Sequence, residues 1–297
     1  MNGIIIKALS GFYYVSCDGQ TYECKARGSF RKSGVSPLVG DRVEFEITDD
    51  DKGVVNEILP RKNCISRPPV ANIDKLFIIS AFASPAPNTL LIDKMTVIAE
   101  HNGIEPIIVF NKCDMGSFAE WECIYKKSGF RVYTVSADSG EGIEALEAEL
   151  ENSVSAFTGN SGVGKSSLLN RLFGSDIILT GEVSEKLGRG RHTTRHTEIY
   201  RLPCGGFVAD TPGFSSLELE TDDYTVKENL PFYFREFSEI SDNCRFSTCT
   251  HTGEKGCAVT EAVASGKIAE SRHSSYCELF AQMKDLKPWE GKKRKNR

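Results

Sequence analysis

The chain holds three groups of residues whose types and spacing could do chemistry. The first is Gly159, Asn160, Ser161, Gly162, Val163, Gly164, Lys165 and Ser166, a complete G-x-x-x-x-G-K-S, followed by Ser167. Glycines at these positions let backbone N–H groups turn inward around a phosphate. A helix starting at Lys165 would aim its N-terminus at the same anion. Lys165 is the residue expected to reach the β- and γ-oxygens, a catalytic part, and the Ser166 hydroxyl to ligate Mg²⁺. The second group is Asn111, Lys112, Cys113 and Asp114, which follows an apolar run. A carboxylate only accepts hydrogen bonds, and guanine offers it two adjacent donors that adenine lacks. Asp114 is therefore expected to read guanine, with Asn111 bracing the loops and the Lys112 stem covering the base. Ser136–Ala137 ends the next expected strand and would offer a backbone N–H to guanine O6.

Asp210, Thr211, Pro212 and Gly213 follow another expected strand. Asp210 is placed to hold Mg²⁺ through water, and the Gly213 amide to sense a γ-phosphate. The next residue is Phe214, which cannot orient an attacking water as glutamine does. The segment "GRGRHTTRH" (Gly188–His196) supplies candidates instead: His192 as the catalytic, water-orienting group, and Thr194, with Thr193 as the alternative, as a Mg²⁺ ligand. The third group, Cys244, Cys249, His251 and Cys257, forms C-x₄-C-x-H-x₅-C. Three thiolates and an imidazole make a closed tetrahedral zinc site with no open position, hence a structural one. His273 and Cys277 stand four apart and are expected to pack on a helix rather than bind metal.

These groups need elements to position them. Residues 1–63 read as five short strands rich in β-branched and aromatic residues, "GIIIKAL", "GFYYVSC", "QTYECKA", "DRVEFEI" and "GVVNEIL". That pattern predicts a small barrel, OB-like first and SH3-like next. Its basic loop carries Lys25, Arg27, Arg31 and Lys32, either a plain polar loop or an RNA backbone contact. Leu59–Ile73 has three prolines and no periodicity and reads as a linker. Residues 64–220 alternate buried-type strands with amphipathic helices, which predicts an α/β domain with a parallel sheet covered on both faces. "TEIYRLPCGGFVADTPG" adds a hairpin. Residues 221–297 are mostly helical and polar, with too few apolar residues for a large core, so a metal staple would help.

Bulk properties narrow the classes. The chain has 297 residues, enough for two or three domains. No apolar run approaches the roughly 20 residues of a membrane helix, and the N-terminus has no cleavage-site pattern, so a cytoplasmic protein with no membrane partner is expected. Ten cysteines, seven of them scattered singly, fit a reduced compartment better than a disulfide framework. A net charge of −5 argues against a protein that coats nucleic acid, although the tail Gly291–Arg297 packs five basic residues into seven. Such a tail is a solvated end or a polyanion contact.

In chain order the groups run base loop (Asn111–Asp114), guanine-support loop (Ser136–Ala137), phosphate loop, first switch (the region of Gly188–His196) and second switch (Asp210–Gly213), a circular permutation of the usual order. With the N-terminal barrel and the C-terminal C-x₄-C-x-H-x₅-C, this order closely resembles the small-ribosomal-subunit-dependent GTPases, the RsgA family. The resemblance implies an OB-fold, a permuted P-loop GTPase domain and a zinc domain. It implies GTP hydrolysis stimulated by the small ribosomal subunit during late maturation, with that subunit and its rRNA and GTP or GDP as partners. It also implies that His192 is the catalytic histidine, since it aligns with the histidine of the family's G-R-H-T-T-T segment. Arg195 replaces the third threonine of that segment, which leaves Thr194 as the magnesium ligand. Asn160 stands where the family often has glutamine. A monomer is expected. On the residues alone, a GTPase for metal delivery and a nucleotide-gated binding module with negligible turnover stay open, the latter because of Phe214.

Overall fold

Five strands open the chain: β1 (Asn2–Leu9), β2 (Phe12–Cys17), β3 (Gln20–Ala26), β4 (Arg42–Asp49) and β5 (Lys52–Ile58). In this computed structural model the described residues are 1–28, 30, 35–49, 51–66, 69–82, 87–174, 198–210 and 224–283. β1 pairs with β2, β2 with β3, β3 in parallel with β5, β5 with β4, and β4 with β1 again, so the ring closes. Ile5, Val15, Cys24, Val43, Phe45 and Val55 fill it. The barrel is OB-like.

The segment expected to be a linker is partly structured. β6 (Cys64–Ser66) and β7 (Pro69–Ala71) pair as a short antiparallel hairpin, and Val39 bridges to Val70. Strands of three residues are too short to show alternation, and Pro69 stands at the first position of its strand, where a missing N–H is tolerated. Asp41, fully buried, accepts two hydrogen bonds from Arg61, at 2.6 and 2.7 Å, so the chain leaving the barrel is tied back to it.

The central sheet holds β8 (Lys75–Ala81), β9 (Glu105–Asn111), β10 (Arg131–Val135), β11 (Val154–Thr158), β12 (Glu198–Arg201) and β13 (Phe207–Asp210), in the order β10-β9-β8-β11-β13-β12. All neighbours are parallel except β12, which is antiparallel to β13. Near-continuous apolar runs such as "KLFIISA" belong to strands covered on both faces. α1 (Thr89–His101) and α2 (Ala119–Lys127) share one core with Leu76, Ile78, Ile108 and Phe110. α3 (Ile143–Leu150) and α4 (Lys165–Phe173) share another with Phe77, Ile79, Ile107 and Val109. Asn88 caps α1 by accepting from the Leu91 amide.

The C-terminal part has α5 (Tyr224–Asn229), three single 3₁₀ turns, α6 (Ala258–Ala264) and α7 (Glu270–Gln282). Its apolar residues Leu230, Phe234, Phe237, Tyr276 and Leu279 pack in the same cluster as Met95 and Tyr125 of α1 and α2. This shared core is how a segment poor in apolar residues finds enough to bury. Two arginines cross the same boundary. Arg272 of α7 pairs with Asp93 of α1 and with Glu236, both at 2.6 Å, and Arg235 reaches Glu100 at 2.5 Å and Glu105 at 3.1 Å. At the opposite edge β12 pairs with β1, so barrel and central sheet form one run of eleven strands. Among the described residues no helix is long and apolar enough to cross a membrane.

Candidate nucleotide site and metal centre

Because β9, β10, β11 and β13 run parallel, the loops at their carboxyl ends emerge on one rim. Ligands bind at such a rim in open α/β sheets. The rim carries Asn111–Asp114 after β9, Ser136–Ala137 after β10, the phosphate loop after β11, and Asp210 as the last residue of β13.

The phosphate loop connects β11 to α4. Gly159 and Gly164 have φ of +143° and +88°, and Cβ atoms there would lie 2.2 Å from the Ile79 carbonyl oxygen and 2.4 Å from Asn111 Nδ2. Only glycine serves at both places, for conformation and for space. Val163 is buried in the core under the loop, and Leu168, Leu169 and Leu172 anchor α4. The first turn of α4 holds no acidic residue, so its free N–H groups face the rim without a competing anion. Lys165 Nζ donates to the carbonyl oxygens of Gly159 and Asn160, at 2.6 and 2.7 Å, which stations a cation at the mouth of the loop. Burial lowers its pKa, a cost that an arriving phosphate would offset. Ser166 and Ser167 occupy the first turn of α4, while Asn160 and Ser161 lie in the loop itself.

Asn111 joins the loops. It is buried at 1% exposure, its Nδ2 donates to the Val163 carbonyl at 2.9 Å, and its Oδ1 accepts from the Ala137 amide at 3.1 Å. Lys112, in the left-handed region at φ 66°, lays its stem across the phosphate loop and donates to the Gly162 carbonyl at 3.1 Å. Asp114 is exposed in the following 3₁₀ turn. Of the Ser136–Ala137 pair, expected to offer a backbone N–H to a guanine oxygen, the Ala137 amide is engaged by Asn111 and the Ser136 amide donates to the Glu141 carbonyl at 2.9 Å. A base would share the Ala137 donor with Asn111.

Of Asp210 the backbone is described: it closes β13 and pairs in register with Glu198. His192, Thr194 with its alternative Thr193, Arg195, Gly213 and Phe214 lie outside the described residues, as do Arg31, Lys32 and the basic tail.

The ligand atoms of Cys244, Cys249, His251 and Cys257 all lie within 4.8 Å of one another. Cys244 Sγ and Cys257 Sγ are 3.6 and 3.7 Å from His251 Nδ1 and 4.0 Å from each other. A tetrahedral ion with bonds of about 2.3 Å to sulfur and about 2.0 Å to nitrogen spans edges of roughly 3.5–3.8 Å; the cysteine–histidine separations match and the cluster is slightly wider overall, a donor set that could hold one ion. His251 sits at φ +60°, and its carbonyl oxygen lies 2.7 Å from His273 Nε2. Cys277 stays outside the cluster, with its sulfur 3.7 Å from His273. Sequence reading missed the loop's clasp. Glu254 accepts from the amides of Thr250 and Thr252, at 2.7 and 3.0 Å, and from the Thr250 hydroxyl. Burial would raise this carboxyl, but the donors hold it down at about 2. T-H-T-x-E inside the ligand span was the available signal.

The RsgA GTPase family model matches residues 58–220, and the RsgA N-terminal domain model residues 2–55. A small ribosomal subunit biogenesis GTPase RsgA of Caldanaerobacter subterraneus subsp. tengcongensis is 48% identical over 288 residues, covering 96% of each chain. One of Geobacillus sp. strain WCH70 is 45% identical over 292 residues, 96% of this chain and 98% of that one. Among solved structures, YjeQ from Thermotoga maritima superposes with a TM-score of 0.82 at 35% identity, covering 96% of this chain and 99% of that one. YloQ, described as a circularly permuted GTPase, superposes with a TM-score of 0.80 at 34% identity, covering 97% and 96%.

Proposed function

The chain belongs to the RsgA family of GTPases, and from that premise we propose that it binds the small ribosomal subunit and hydrolyses GTP during late subunit maturation, with the subunit stimulating turnover. The observation that carries the reading is kinship, over at least 96% of each chain, to proteins named for that role, together with base loop, phosphate loop and Asp210 strand converging on one rim. Asp114 pairs with guanine N1–H and the 2-amino group, and Asn111, Lys112, Ser136 and Ala137 shape that pocket. Residues Gly159 through Ser167 cradle the phosphates. Lys165 leaves its two carbonyl partners for the β- and γ-oxygens. Ser166, Thr194 and Asp210 hold Mg²⁺, which when bound neutralises charge developing on the phosphates. His192 orients the attacking water, and Gly213 senses the γ-phosphate. Zinc held by Cys244, Cys249, His251 and Cys257 is structural. The barrel, with Lys25 and Arg27, is the rRNA-facing part, and the protein acts as a cytoplasmic monomer.

The test is GTP hydrolysis with and without purified small ribosomal subunits. Stimulation that disappears in His192→Ala, with GTP binding retained, is the expected result. Slow turnover that the subunit leaves unchanged would overturn the reading in favour of a nucleotide-gated binding module.

A further inference from the structure

β12 is four residues long, and it stands between the nucleotide rim and the barrel. On its inner side Glu198 is the register partner of Asp210, the last residue of β13. On its outer side the same Glu198 is the register partner of Lys7 of β1, where barrel and central sheet meet. Lys7, Glu198 and Asp210 thus lie in one row across three strands. The Lys7 ammonium is 3.2 Å from a Glu198 carboxylate oxygen, with the two side chains 29% and 17% exposed. Arg201, at the other end of β12, lies near the barrel's β2–β3 turn: a Cβ placed on Gly19 would come within 3.7 Å of Arg201 Nη1.

We propose that Lys7 is a positioning residue for GTP hydrolysis, acting through Glu198 to hold the β12–β13 hairpin, and with it the main chain of Asp210, against the phosphate loop. This rests on Asp210 carrying the magnesium ion. Two physical effects act together. The ion pair reinforces the register pair that joins β12 to β1. It also neutralises a carboxylate in the same row as Asp210, on a rim that must receive a polyanion; a bare Glu198 would repel the triphosphate and compete for the cation. Because Lys7 belongs to the barrel, whatever the barrel touches is linked to the magnesium side of the site. That linkage is reciprocal, so nucleotide and barrel ligand bias each other's binding.

The experiment is a double-mutant cycle of Lys7→Met and Glu198→Gln in the full chain, with GTP hydrolysis measured over a MgCl₂ titration in the presence of purified small ribosomal subunits. Each single variant should raise the half-saturating Mg²⁺ concentration roughly five- to tenfold. Lys7→Met should do so more strongly, because it leaves the carboxylate bare. The double variant should be no worse than Lys7→Met alone, and Lys7→Arg should stay within about twofold of the unmodified chain. Additive penalties, or single variants with an unchanged Mg²⁺ profile, would overturn the proposal. Should Lys7→Met fail to fold, Glu198→Gln carries the same prediction. Asp210→Asn separates the two layers. If it leaves the Mg²⁺ profile unmoved, the magnesium assignment fails. If it shifts the profile while Lys7→Met does not, the assignment stands and the positioning role fails.

Discussion

Asn111 shows what a short motif conveys and what it omits. N-K-x-D at Asn111–Asp114 names a base loop, because one carboxylate satisfies two guanine donors. Asp114→Asn replaces that acceptor with a group that also donates, so GTP affinity should fall by at least about a hundredfold, while xanthine nucleotides bind in preference. Competition between GTP and XTP measures this, and unchanged GTP affinity would remove Asp114 from the base-reading role. The motif does not reveal that Asn111 is buried and bonded to both Val163 and Ala137, since those partners lie 52 and 26 residues away. Asn111→Ala leaves a carbonyl and an amide without their partner, at about 1–3 kcal/mol each. It should therefore lower both the unfolding free energy and nucleotide affinity. Urea denaturation and nucleotide titration check the pair of effects; a loss of affinity at full stability would mean that Asn111 touches the nucleotide rather than bracing the loops.

At the scale of elements, strands and helices of the barrel and central domain were legible because both periods are short and each element is long enough to display one. The β6–β7 hairpin was not, and neither was the docking of the C-terminal helices. The reason for the second is visible in Arg272. α7 reads as a polar helix, yet its arginine is 1% exposed, paired with Asp93 and Glu236, and stacked over the Phe234 ring at 4.5 Å. A buried ion network leaves the same letters in a sequence as a solvated face. Tyr125 also donates to Asp93, at 2.9 Å. Burial pushes the Asp93 carboxyl up, and Arg272 draws it back down. Arg272→Met removes the cation and leaves two buried carboxylates, at a cost of about 3–5 kcal/mol. The sign of the pH dependence follows. A carboxyl whose folded pKa is raised contributes stability that is present below its unfolded value, about 4, and lost as pH rises through the folded value. Without Arg272 the upward push on the Asp93 carboxyl is larger, so the deficit of Arg272→Met against the unmodified chain should grow as pH rises above about 4 in urea denaturation. A deficit independent of pH would mean that lost packing over Phe234 and Phe130, rather than stranded charge, sets the cost.

In the whole molecule, three sequence textures become one mechanical unit. The barrel continues into the central sheet through β1 and β12, a pairing that edge strands leave unmarked in sequence. The C-terminal part shares its core with α1 and sends Arg272 into it. The Cys244, Cys249, His251 and Cys257 cluster, which could hold a metal ion, is therefore tied to more than its own loop. It spans the segment 244–257 that precedes α6 and α7, and Tyr276 and His273 of α7 reach back to the backbone of Thr250 and His251, at 2.8 and 2.7 Å. Losing the metal should loosen α7, and a loosened α7 withdraws the arginine that compensates Asp93 in α1. Cys257→Ser, at a ligand 1% exposed, should abolish stoichiometric metal, because a closed tetrahedral site does not tolerate loss of a thiolate. Amide exchange should then accelerate in Glu270–Gln282 and also in Thr89–His101, more than a hundred residues away in sequence. Exchange that rises only within 244–257 would show that the metal loop and the central domain are energetically separate, and that the shared core alone holds the C-terminal helices in place.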